Sequence, residues 1–147
     1  VMLPGNSCMK LFSDIMTRSP ITLRPDDTLQ DAERIMAERQ IRHIPVVDAN
    51  NRVCGVVSQR EFLSEAFRIT DKFGAHNLVT YLAKTLLQDC MSHDFNQVQA
   101  NTSLRDTGEI LRANKKRGCV LVTDAEQQLH GIVTSQDFLA LALELLP

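Results

Sequence analysis

A chain of 147 residues with 44% hydrophobic content is about the size of one ordinary domain and can bury a substantial core without metals or crosslinks. Its 16 Lys and Arg against 18 Asp and Glu leave a net charge of -2, which excludes a broad electrostatic footprint for nucleic acid or an anionic membrane. No apolar run approaches the roughly 20 residues of a membrane helix, and the opening VMLPGNSCMK lacks a signal-peptide core, so a soluble, cytoplasmic protein is expected.

In chain order, Leu11 to Met16 forms an opening segment, and Ile21-Thr22-Leu23 reads as a short strand. Leu29, Ala32, Ile35 and Met36 share one helical face, which predicts an amphipathic helix from about Leu29 to Arg39, and Thr28 with Asp31 supplies its capping box. The β-branched runs Ile44 to Val47 and Val53 to Val57 flank the polar stretch Asp48 to Arg52, a hairpin pattern, and the second run leads into a helix beginning near Glu61. From Ile69 to Thr85, the spacing of Leu78, Val79 and Leu82 predicts a connecting helix with a loop near Gly74.

The second half repeats the first. Leu86 to Met91 matches Leu11 to Met16, Ser103-Leu104-Arg105-Asp106 matches Thr28-Leu29-Gln30-Asp31, and Ile110 falls on Ile35. After one inserted residue, Gly131-Ile132-Val133-Thr134 matches Gly55-Val56-Val57-Ser58, and Phe138-Leu139 matches Phe62-Leu63. Cys119 to Val122 and Leu129 to Val133 flank Asp124 to Gln128 as a second hairpin, followed by a helix from near Asp137. Each copy reads strand, helix, strand, strand, helix, giving an α/β chain with small mixed, α+β-like sheets. The expected boundaries are 10–68 for the first repeat, 69–85 for the connector and 86–146 for the second repeat.

The segments Gly55 to Leu63 and Gly131 to Leu139 resemble the G-h-h-S/T-x-x-D-h-h signature of the CBS (cystathionine-beta-synthase) domain family, where h is apolar. Asp14-Ile15-Met16, Asp89-Cys90-Met91 and Ile44-Pro45-Val46-Val47-Asp48 are similar to that family too. The resemblance implies two pseudo-symmetric repeats packed sheet to sheet, with adenine nucleotides bound in equivalent clefts between them. Carried over residue by residue, it implies one site on Thr134 and Asp137, with Gln97, Val98 and Val120 nearby. A second falls on Ser58 and Glu61, with Thr22, Leu23, Ile44 and Pro45. In each, the acidic residue takes the ribose hydroxyls and the Ser or Thr lies near ribose or phosphate.

An ionised carboxylate accepting two hydrogen bonds suits a vicinal diol, and free N–H groups at the adjoining helix start favour phosphate. Glu61 stands where the family has Asp, and its extra methylene displaces the carboxylate, so the Thr134 and Asp137 site ranks first. The same T-x-x-D and S-x-x-E spacings are also capping boxes that need no ligand.

Arg42, Arg60 and Arg117 are candidate phosphate contacts, with surface solvation the simpler role, and Arg112, Lys115, Lys116 and Arg117 cluster at a helix end. The four histidines lack metal-ligand spacing, the four cysteines lack C-x-x-C, and Cys54, Cys90 and Cys119 are expected to pack as small hydrophobes. No nucleophile, base and oxyanion donor assemble, so no catalytic residue and no metal site is expected. The expected function is regulatory adenine-nucleotide sensing with no required cofactor. The rivals are a ligand-free dimerisation scaffold and an enzyme that uses the cleft. A homodimer is expected through the nearly all-apolar helix from Asp137 to Leu146 and through Phe62, Leu63, Ala66 and Phe67. An effector protein or fused domain would read the signal; nucleic acid and membrane are not expected partners.

Overall fold

A computed structural model describes residues 15–113 and 118–147. Cys8 and the beginning of the expected first repeat, with Asp14, lie outside the described residues, as do Lys115, Lys116 and Arg117 of the basic cluster. The chain is mixed α/β and divides into two compact units, Ile21–Asp94 and a second built from Val1–Pro20 with Phe95–Pro147.

In the unit Ile21–Asp94, helix α1 spans Leu29–Arg39. Its start is the expected capping box: Thr28 Oγ1 accepts the Asp31 N–H at 3.2 Å, and the Asp31 carboxylate accepts the Thr28 N–H at 3.1 Å. Leu29, Ala32 and Met36 are its buried face. Strands β2 (His43–Val47) and β3 (Val53–Ser58) form the antiparallel hairpin. Asp48 shapes its turn by accepting the N–H groups of Asn50 and Arg52 at 2.8 and 3.0 Å.

The expected strand at Ile21–Leu23 shrinks to a single parallel bridge between Leu23 and Val46. The next residue explains this: the Arg24 N–H donates to the Asp27 carboxylate at 2.7 Å, which turns the chain out of the ladder. Helix α2 (Gln59–Phe73) follows β3 without a loop and stops at Gly74, whose φ of 88° is a conformation L side chains rarely adopt. A 3-10 turn and the short helix α3 (Leu78–Leu82) complete the connector, so the expected break near Gly74 is present. Leu29, Ile44, Val46, Val57, Ile69 and Leu87 form a fully buried core.

The other unit carries a four-stranded sheet. Its strands are β1 (Thr17–Arg18), β4 (Asn96–Val98), β5 (Cys119–Thr123) and β6 (Leu129–Thr134), ordered β1-β6-β5-β4. β4 runs parallel to β5, and the other pairings are antiparallel. Helix α4 (Leu104–Ala113) starts where Ser103 Oγ accepts the Asp106 N–H at 3.1 Å, and α5 (Ser135–Leu145) follows β6 directly. Buried Val122 and Val133 pack with Ile15, Met16, Val98, Leu104, Leu111 and Phe138.

The two units exchange the openings of the sequence repeats. Thr17 and Arg18, directly after the first opening, pair with Ile132 and Gly131 of the second repeat. Ser92, directly after the second opening, exchanges two hydrogen bonds with Val56 of the first repeat, at 2.9 and 2.8 Å. The signature glycines allow this crossing: a Cβ on Gly131 would lie 2.6 Å from Met16 Sδ and 2.9 Å from the Thr17 carbonyl. On Gly55 it would lie 2.8 Å from the Ser92 carbonyl and 2.9 Å from Met91.

Candidate functional site

Each candidate site is assembled within one unit. In the first, β6 delivers Thr134 as the N-cap of α5, with extended backbone at φ -119° and ψ 170°. The Thr134 N–H donates to Asp137 Oδ2 at 2.7 Å, and its hydroxyl reaches the same oxygen at 3.3 Å. Both contacts fall on Oδ2; Oδ1 takes no hydrogen bond among the described residues. Thr134 stands opposite Cys119, and Val120 pairs with Val133 on one side and Asn96 on the other. The strand ends therefore gather Thr134, Asp137, Val120 and the start of β4.

Two of the expected neighbours have partners of their own. Val98 packs in the core with Val122 and Phe138, and the Gln97 side-chain oxygen accepts the Thr123 hydroxyl at 3.1 Å. Val120 is fully buried and offers a ligand its backbone or a wall, whereas the Gln97 side chain is exposed.

The second arrangement has the same plan. Ser58 caps α2, and Glu61 Oε1 accepts its N–H at 2.9 Å and its hydroxyl at 2.7 Å. The longer Glu side chain thus still closes the box. Ile44 is fully buried in the core beneath α1. The Pro45 carbonyl accepts the Leu23 N–H at 3.1 Å, and the Leu23 carbonyl accepts the Val47 N–H at 2.9 Å. Thr22 is half-buried beside this bridge.

One expectation needs correction. Free N–H groups were expected at the helix starts, but most are used: Ser135 N–H donates to the Gly118 carbonyl at 3.2 Å, and Gln59 N–H to the Arg42 carbonyl at 3.0 Å. The Arg60 N–H donates to Ser58 Oγ at 3.2 Å, and the box takes the Asp137 amide. The helix dipole remains, but anion binding would have to draw mainly on side chains.

Two residues at these sites escape the motif. His43 stands directly opposite Ser58, half-buried, and its proton affinity is lowered chiefly by burial, against a smaller upward pull from Glu61. Asn96, paired with Val120, encloses an Nδ2 that has no hydrogen-bond partner among the described residues. Polarity at a strand position where the first copy has Ile21 was the available signal for Asn96.

Other candidates resolve into structure. His130 contacts the Asp124 carboxylate at 2.8 Å in a hairpin turn, and Arg112 pairs with Glu109 at 2.7 Å on the surface. Burial, then Glu65, Asp89 and Glu61, pushes the Cys90 thiol up to about 12, which keeps it protonated as a packing group. Among the described residues, no cluster of three or more His, Cys, Asp or Glu could hold a metal ion, and no helix is long and apolar enough to cross a membrane.

The CBS domain family model matches residues 12–68 and 87–144, covering both copies of the repeat. The chain belongs to the CBS domain family. Among solved structures, it resembles the Vibrio cholerae protein AcuB, named for acetoin utilization, with 34% identity, a TM-score of 0.79 and 93% of each chain covered. It also resembles CBSX2, a CBS protein of Arabidopsis thaliana, solved in complex with AMP, with 26% identity, a TM-score of 0.75, and 91% and 96% of the two chains covered. Among curated proteins, inosine-5'-monophosphate dehydrogenase of Methanocaldococcus jannaschii is 26% identical over 131 residues, 89% of this chain and 23% of the enzyme. The chain spans about a quarter of the length of the curated relatives it matches. The repeats thus match both a segment of an enzyme and solved chains of about this chain's length.

Proposed function

We propose that this CBS pair is a regulatory module that binds AMP, ADP, ATP or a related adenosine compound and catalyses nothing itself. The observation that carries the reading is Asp137, whose Oδ2 is fixed by the Thr134 cap while Oδ1 takes no hydrogen bond among the described residues. That geometry presents a held carboxylate to a ribose diol, and charge-assisted bonds of this kind are roughly twice as strong as neutral ones. The AMP complex of CBSX2 supports the ligand class. Ser58 and Glu61 form the secondary site, and an effector protein or fused domain reads the occupancy.

A second reading, a homodimerising scaffold, is favoured by the apolar side chains left in water on α5 and α2. It is compatible with ligand binding and replaces it only if no ligand is found. Thermal denaturation with a panel of adenosine compounds separates the two. A ligand present at 100 times its Kd should stabilise by about 2.7 kcal/mol, whereas a flat response across the panel would leave the scaffold alone.

A further inference from the structure

The two hairpins differ at the residue opposed to the helix cap. Ser58 faces His43 across β2 and β3, whereas Thr134 faces Cys119 across β5 and β6. Directly opposed residues on antiparallel strands have Cβ atoms ~4.5–5.5 Å apart on one face of the sheet. His43 therefore lies beside the Ser58 hydroxyl, which is bonded to the Glu61 carboxylate at 2.7 Å. The charged groups acting on the imidazole are Glu61, at the start of α2, and Arg42, beside it in β2's approach. Burial dominates and disfavours the proton, Glu61 favours it, and Arg42 disfavours it, so the ring is mainly neutral near neutral pH. At the other hairpin, buried Cys119 offers no basic group.

We propose that His43 couples anion binding at the Ser58 and Glu61 site to proton uptake, so that this site, unlike the Thr134 and Asp137 site, takes phosphate-bearing adenosine compounds more tightly as pH falls. The inference rests on the nucleotide reading above. A phosphate beside the ring adds negative charge that outweighs Arg42 and makes both ring nitrogens donors. By linkage, affinity strengthens by up to about tenfold for each unit by which the bound phosphate raises the imidazole pKa. Adenosine, which brings no charge, gains nothing from the proton.

Titration calorimetry with AMP and with adenosine, between about pH 7.5 and 5.5 and in buffers of different ionisation heat, reads both affinity and proton uptake. The chain carrying Asp137→Ala isolates the first-repeat site, and His43→Gln is then added. His43→Cys is the second variant, because the other hairpin accommodates cysteine at the opposed position. The expected result is net proton uptake with AMP and an AMP affinity that rises several-fold at lower pH relative to the His43 variants; AMP's own phosphate titrates equally in all of them. Adenosine should show neither effect. AMP binding with the same uptake and slope after His43 is replaced overturns this inference alone. Failure of the unmutated chain to bind AMP at any pH overturns this inference, and failure with every compound of the adenosine panel overturns the nucleotide reading with it.

Discussion

Replacing Asp137 by alanine separates the two jobs of its carboxylate. Loss of a charged hydrogen bond to ligand should weaken binding by about 1.5 to 3 kcal/mol, while loss of the helix cap should cost stability nearer 1 kcal/mol. Calorimetry with the tightest ligand and a thermal melt measure the two, and an unchanged affinity would remove Asp137 from the site. Gly131→Ala acts differently. Its Cβ meets the Thr17 carbonyl, which is backbone and cannot swing aside as Met16 can, so overpacking of about 1 to 3 kcal/mol is expected in chemical denaturation. Acid sensitivity also belongs to single residues. Backbone bonds from Thr28 and Arg52 lower the pKa of Asp31 and Asp48, respectively, and the His130 contact lowers that of Asp124. A carboxylate with a depressed folded-state pKa stabilises fully above its unfolded value, about 3.9, and loses that contribution as pH falls through the folded value. The melting temperature should therefore drop as pH falls through and below that point, and less steeply in Asp31→Asn; an equal slope would rule out that carboxylate. Sequence made Asp137 and the glycine readable as a motif. It hid the reason for the glycine, because Met16 is distant in the chain.

At the scale of elements, the helix starts were the most legible feature, because capping boxes are local: Thr28 with Asp31, Ser58 with Glu61 and Thr134 with Asp137 all close as the spacing predicts. Strand β1 was not legible. Thr17 and Arg18 carry no apolar alternation, and their ladder depends on β6. The strand expected at Ile21 to Leu23 failed for the opposite reason, since Asp27 competes locally for the backbone. Helix α5 leaves a specific surface: Leu139 and Leu143, one turn apart, are 52% and 63% exposed, and on α2 Leu63 and Phe67 repeat the spacing at 47% and 72%. Such stripes suit a closed twofold contact between two copies. Light scattering at micromolar concentration should give about twice 16.5 kDa for the unmutated chain and a single-chain mass for Leu143→Glu. A single-chain mass for the unmutated protein would eliminate the dimer.

For the whole molecule, the repeat in the sequence and the units of packing are cut along different lines. A fragment of residues 21–94 keeps Leu87, Met91 and Ser92 against the β2–β3 hairpin, whereas one of residues 12–68 loses them along with Ile69 and Leu82 of the same core. The longer piece should melt cooperatively by circular dichroism and the shorter should not; equal behaviour would mean the exchanged openings contribute little. Alignment of the copies could not reveal this, because each opening resembles its own repeat while packing on the other. The exchange also sets an order of events during synthesis. The inner unit is one continuous stretch, complete once Asp94 has left the ribosome, whereas Thr17 and Arg18 must wait for Gly131 and Ile132 to be translated. Throughout that interval strand β1 has no edge to join, so a nascent chain arrested between the two should pair a finished globule with an unpaired, protease-sensitive segment at Thr17 and Arg18.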